Sequence, residues 1–213
     1  MREILRSFMK PNPTPTNLQR EKKIILDLCG GTGAWSRPYA EAGYDVRVIT
    51  LPEHDILTYE PPDNVYGILA APPCTMFSMV RTTAKKPRDF NEGMAPVKAC
   101  LEVIWKCRIA GTLKFWALEN PRGYLRHFLG RPWYEFDPTE FGDKHNKRTC
   151  LWGWFNEPKK TREYKKTFSH AISNEGFEEL PADYVPDPNM RWDAIRRSIT
   201  PAGFAKAFME ANL

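Results

Sequence analysis

The feature that most constrains this chain is the passage from Lys22 to Gly33, an apolar run that ends in an acid and a glycine cluster. Ile24, Ile25, Leu26 and Leu28 follow one another almost without interruption. That pattern belongs to a strand covered on both faces, as in a parallel sheet. Gly30, Gly31 and Gly33 come directly after it, and glycines there let the backbone approach a ligand at the carboxyl edge of a sheet. The spacing completes neither a GxGxxG phosphate loop nor a P-loop. With Asp27 at the same strand end, the cluster favours a nucleotide-like cofactor over a turn that serves geometry alone.

The strand-then-helix pattern recurs, and no internal repeat is visible. Ser36 is placed to cap a helix with Pro38 in its first turn and Gly43 past its end. Asp45 to Leu51 and Tyr66 to Ala70 read as further strands, the second running into Pro72-Pro73. Residues 96–109 put Val97, Leu101, Ile104 and Trp105 on one helical face. Lys114 to Leu118 is strand-like and stops at Glu119-Asn120-Pro121, and residues 150–155 form one more strand. Thr200 as N-cap and Pro201 at the first position open a terminal helix that buries Phe204, Ala205, Phe208 and Met209. Strands alternating with helices imply an α/β fold with a doubly wound, mostly parallel sheet.

A length of 213 residues suits one such domain with a small appendage. Residues 1–21 form an N-terminal segment broken by the prolines of residues 11–16. Residues 22–155 form the main domain, 156–195 a polar, proline-punctuated insertion, and 196–213 a helix packing back on the core. No apolar run approaches the roughly 18 residues of a membrane span, and Met1 to Lys10 has no signal-peptide core. The expected location is the cytoplasm, in a bacterial or virus-infected cell.

Three constellations carry chemistry. The first is the cofactor turn itself. The second is Pro72-Pro73-Cys74: a thiol just past a strand end sits where α/β proteins bind ligands, on a loop stiffened by two prolines. The five cysteines, Cys29, Cys74, Cys100, Cys107 and Cys150, lack the paired spacing of a zinc site. Cys100 and Cys107 lie in the amphipathic helix and read as packing. The third is Glu119-Asn120-Pro121, one helix crossover from Cys74, which brings an acid to the same sheet edge.

These segments, in this order, resemble the motifs of the DNA cytosine-5 methyltransferase family. Asp27 to Trp35 resembles its cofactor motif and Asp55-Ile56 its adenine contact, with His54 for glycine. Pro73 to Ser78 resembles its nucleophile motif, with Thr75 for glutamine. Glu119-Asn120-Pro121 resembles its Glu-Asn-Val. Asn146 to Cys150 resembles Gln-x-Arg-x-Arg, with only Arg148 surviving, and Ser198 to Ala205 looks like its last motif.

The resemblance covers roughly residues 22–155 and 196–213, and implies a class I AdoMet-dependent, Rossmann-like methyltransferase. Its catalytic residues would be Cys74, Glu119 and Arg148. AdoMet would be held by Asp27, Leu28, Cys29, Gly30, Gly31, Gly33, Trp35, Thr50, Asp55, Ile56, Pro72 and Ser198. No acid closes the second strand where the family contacts the ribose; Glu53 is the nearest substitute. About forty residues between Phe155 and Arg196 leave no room for the family's target recognition domain.

A net charge of +5 and a pI near 8.9 suit a polyanionic partner. Lys159, Lys160, Arg162 and Lys165 follow the last strand, and Ser78, Arg81, Lys85, Lys86 and Arg88 follow the nucleophile; all are expected to face DNA, duplex or single-stranded, except Arg88, which belongs to the second basic stretch by position. RNA, a free pyrimidine nucleotide, and a non-catalytic binding role stay open at this point. So do self-association and a protein partner that supplies specificity.

Overall fold

The computed structural model describes residues 22–81, 84–169, 195 and 197–213. The expected N-terminal segment and most of the insertion, residues 170–194, lie outside the described residues. The strands are β1 (Ile24–Leu28), β2 (Asp45–Ile49), β3 (Val65–Ala70), β4 (Phe115–Pro121), β5 (Tyr134–Phe136), β6 (His145–Asn146), β7 (Thr149–Trp154) and β8 (Phe168–Ser169). The helices are α1 (Arg37–Glu41), α2 (Phe90–Ala110), α3 (Arg126–Leu129) and α4 (Ala202–Ala211), with a 3₁₀ turn at Pro138–Phe141.

Six strands form one sheet in the order β2-β1-β3-β4-β7-β5. The first four run parallel, and β7 runs antiparallel to both β4 and β5. Period-two alternation along β1 divides the core. Leu26 and Leu28 join Ile68, Ala70 and Leu118 under α2, which contributes Val97, Cys100, Val103 and Ile104. Ile25 joins Leu69, Ala117 and Leu151 on the other face, under Tyr39 of α1 and Phe204 and Phe208 of α4. Helices thus cover both faces of a Rossmann-like, mostly parallel sheet, the α/β fold class expected from the sequence.

Several element boundaries differ from the sequence reading for identifiable reasons. Helix α2 begins at Phe90, six residues before Pro96, because Asp89 caps it by accepting the amides of Asn91 and Glu92 at 2.9 and 3.1 Å. Pro96 is therefore an interior proline, not the first helical residue. The buried face runs through Gly93, Val97, Cys100, Ile104 and Cys107, and Trp105, expected inside, is 62% exposed. Strand β4 continues through Glu119-Asn120-Pro121, because β7 pairs with those residues from Leu151 to Thr149. Pro201, not Thr200, caps α4. The insertion contributes β8, which pairs in parallel with β6.

Candidate active site

The glycine turn leaves β1 through three residues with positive φ: Cys29 (55°), Gly31 (55°) and Gly33 (68°). The Cys29 amide donates to the Ile49 carbonyl at 2.8 Å, tying the turn to β2, and the Gly33 amide donates to the Gly30 carbonyl at 3.0 Å. At Gly31 an added Cβ would meet nothing within 4 Å, so the backbone there faces open space. Gly30 lies so close over the Asp27 carboxyl that any side chain would overlap it. Asp27 is fully buried, and burial pushes its pKa up to about 6 against the pull of the Ser36 hydroxyl. That hydroxyl donates to Asp27 Oδ2 at 2.6 Å. Ser36 is consequently at the N-cap of α1 without making the capping bond expected of it.

The expected cofactor residues divide by exposure. Cys29, Gly30, Gly31 and Gly33 reach the surface of the turn, and Thr50 is half-buried just past β2. Asp27, Leu28, Trp35, Ile56 and Pro72 are buried, and of these Asp27 lies directly beneath Gly30. Trp35 packs edge-on to Phe208 at 5.4 Å, on the α4 face. Asp55 is exposed, with Oδ1 accepting the Leu57 amide at 2.9 Å, and exposed Ser198 donates to the Ile195 carbonyl at 2.7 Å.

Cys74 stands on the loop after β3, beside the strand that carries Glu119. Strands β3 and β4 are adjacent and parallel, with Ala70 opposite Leu118, as the single crossover between them implied. The loop is held from several sides. Asn120 is buried and donates through Nδ2 to the Pro72 carbonyl at 2.9 Å. The amides of Phe77 and Ser78 both donate to the Cys74 carbonyl, at 2.9 and 2.8 Å, and the Tyr124 amide donates to the Phe77 carbonyl at 2.8 Å. Arg88 donates through Nη1 to the Met76 carbonyl at 2.8 Å and through Nη2 to the Ser78 carbonyl at 2.7 Å. Its guanidinium also lies 4.9 Å from the Tyr124 ring centroid. Arg88, grouped by position with a basic stretch, is thus a clamp on the Cys74 loop.

The residue that meets Glu119 is Lys147, not Arg148. Strand β7 runs antiparallel to β4 with Leu151 opposite Glu119 and Thr149 opposite Pro121, so the residues just before Thr149 pass the carboxyl end of β4, from where the Lys147 side chain reaches back to Glu119. Alternation along this extended stretch sends 147 and 148 to opposite sides. Lys147 Nζ lies 4.0 Å from Glu119 Oε1, with both side chains largely buried, and 3.3 Å from the Arg197 carbonyl, which it can donate to. Arg148 is exposed.

Cys74, Glu119 and Lys147 influence one another. Burial pushes the Cys74 thiol up; Lys147 pulls it down, and Glu119 pushes it up again. Burial also raises the Glu119 carboxyl, with Lys147 opposing. One cation therefore favours the charged form of both a buried thiol and a buried acid. The resemblance directed attention to Arg148, and no sequence signal singled out Lys147.

The expected phosphate contacts are only partly free. Lys160 pairs with Glu140 at 2.8 Å, and the amides of Thr161 and Arg162 donate to the Glu140 carbonyl, laying this segment along the 3₁₀ turn. Lys86 pairs with Glu92 at 2.6 Å, and Arg81 donates to the Lys86 carbonyl. Lys85, Lys159 and Lys165 have exposed side chains, and Ser78 bridges to Gly123 through its backbone. No helix among the described residues is long and apolar enough to cross a membrane.

No family model matches the chain, and no curated protein matches it. Among solved structures it is similar to the crystal structure of a Spodoptera frugiperda DNMT2 mutant. That likeness has a TM-score of 0.39 at 17% identity and covers 68% of this chain. The chain spans 55% of that structure's length.

Proposed function

We propose that this chain transfers a methyl group from AdoMet to C5 of cytosine in DNA, with Cys74 as the covalent nucleophile. The observation that carries the reading is the convergence of Cys74, Glu119 and Lys147 at the sheet edge that also holds the glycine turn.

The residues of the turn fit AdoMet. Gly31 opens onto free space, and the turn of residues 29–33 is tied to the end of β2, next to Thr50, by the Cys29 amide. When bound, AdoMet supplies an electrophilic methyl group. The remaining work falls to the side chains. Cytosine leaves its stack, or arrives unpaired, to reach the loop.

The Cys74 thiolate forms an Sγ–C6 bond, and the electron pair of the 5,6 double bond shifts to make C5 an enamine carbon. N3 takes the proton of Glu119 as this happens, which requires an acid held neutral. Burial supplies that bias. Lys147 stabilises first the thiolate and then the carboxylate left on Glu119. After C5 takes the methyl group, N3 returns its proton to Glu119. Loss of the C5 proton to solvent and cleavage of the Sγ–C6 bond then restore the ring and release the thiolate.

Tritiated AdoMet offered separately with duplex DNA, single-stranded DNA, RNA and dCMP tests this reading. Label on cytosine C5 of DNA, abolished by Cys74→Ala, is the expected result. Label in none of the four substrates contradicts the catalytic reading, and label on RNA or dCMP alone contradicts DNA as the substrate.

A further inference from the structure

Beyond the nucleophile loop lies a surface that neither the basic runs nor the motifs single out. Residues 121–134 contain Arg122, Arg126, His127 and Arg131, together with Tyr124, Phe128 and Trp133, and no carboxylate. The structure turns most of these outward. Tyr124 is 40% exposed, Phe128 47% and Trp133 64%, and Arg122, His127 and Arg131 are exposed as well. Arg148 joins them, since its carbonyl accepts the Arg122 amide at 2.8 Å. Arg126 reaches Glu135 at 3.6 Å; Arg122, Arg131 and Arg148 have no ion-pair partner among the described residues.

The rings are held in place from below. Phe128 packs on Phe77 and Phe90, with centroids 5.9 and 5.3 Å apart, and Tyr124 packs on Phe90 at 6.0 Å. Trp133 is held by its backbone, whose amide donates to the Leu151 carbonyl at 2.9 Å. The surface is continuous with the nucleophile loop through the Ser78–Gly123 bridge and the Tyr124–Phe77 hydrogen bond.

We infer that this arginine-and-ring surface binds a single-stranded polynucleotide, seating the nucleotides that flank the base offered to Cys74. The inference rests on the proposed function of the Cys74 site and identifies how the strand is held. Exposed rings, Tyr124 and Phe128 packed from below and Trp133 anchored through its backbone, provide stacking faces for unpaired bases, and arginines without ion-pair partners among the described residues provide phosphate contacts. A duplex, whose bases are already stacked, has no use for the rings. Glu135 neutralises Arg126 alone, and Arg122, Arg131 and Arg148 leave the surface positive and complementary to a polyanion.

Fluorescence anisotropy of labelled twelve-nucleotide DNA and RNA strands, and of the DNA duplex, tests it. Binding of S-adenosylhomocysteine is measured on the same proteins by calorimetry. The expected result is that the full chain binds a single strand more tightly than the duplex. Trp133→Ala is then expected to weaken strand binding about tenfold, and Arg131→Ala to lower the slope of log K against log salt by about 0.7. Both variants should bind S-adenosylhomocysteine as the wild type does. Preference of DNA over RNA or the reverse identifies the strand, and either preference supports the surface. Strand binding unchanged in Trp133→Ala and Arg131→Ala overturns the inference, as does preference for duplex. If those results accompany intact S-adenosylhomocysteine binding and methyl transfer that needs Cys74, the proposed function stands without this surface. Strand binding that weakens as expected in a protein that neither binds S-adenosylhomocysteine nor transfers methyl supports the surface and refutes the function.

Discussion

At the residue scale the decisive side chain is Lys147. It is the cation beside Glu119 at 4.0 Å, and it lowers the pKa of both Cys74 and Glu119 against the burial that raises them. Replacing it by a neutral residue removes the positive charge that favours both anions, so both pKa values rise. The thiolate then forms only at higher pH. For Lys147→Gln the acid limb of the kcat/KM profile for methyl transfer is expected to move up by about one pH unit, while Lys147→Arg keeps the wild-type limb. An unchanged limb in Lys147→Gln contradicts the role given to this lysine. The positions of Cys74 and Glu119 were legible in the sequence because one follows a strand and the other lies at the carboxyl end of one, each in a recognisable run. Lys147 was not, because the resemblance singled out the one arginine, whereas the direction of a strand's side chain depends on parity and on the strand opposite.

The helices and strands differ in how much of them local pattern could reveal. Strands β1, β3 and β4 are short apolar runs covered on both faces, and their existence and order follow from that alone. The extent of β4 does not, because Glu119 to Pro121 become strand only when β7 pairs with them. The apolar face of residues 96–109 marks only part of α2, because its first turn is set by the Asp89 cap upstream of the interior Pro96. The clamps on the nucleophile loop were invisible in the sequence, because each joins residues that meet only after folding.

Those clamps carry a prediction of their own. At Gly123 a Cβ would overlap the Phe77 carbonyl oxygen, which is backbone and has little freedom to yield. Gly123→Ala is therefore expected to cost about 1–3 kcal/mol of stability by overpacking. Because the displaced carbonyl belongs to the Cys74 loop, methyl transfer is expected to fall at least about tenfold even where the variant is fully folded. Denaturant titration and single-turnover rates check the two parts separately. A folded Gly123→Ala with wild-type turnover contradicts a loop that must be held in place.

For the whole molecule, the sheet gathers its chemistry at one edge. The glycine turn after β1, the Cys74 loop after β3, the end of β4 and the entry of β7 all meet there. The opposite faces are occupied by α2 and by the aromatic packing of α4, in which Phe204 stacks on Phe136 at 4.0 Å. The resemblance correctly anticipated a sheet of this class. The arginine-and-ring surface after β4 was not anticipated, because its residues are scattered among turns and only the fold lines them up beside the nucleophile loop.

The central claim, that Cys74 bonds to C6 of the ring, is tested most directly by intact mass measurement after reaction with an oligonucleotide containing 5-fluorocytosine. Fluorine at C5 cannot depart as the proton does, so the Sγ–C6 bond should persist once the methyl group has transferred. The account predicts a denaturant-stable adduct of one protein, one oligonucleotide and one methyl group, lost in Cys74→Ala. Methyl transfer to ordinary cytosine without such an adduct, or an adduct that survives Cys74→Ala, would contradict it.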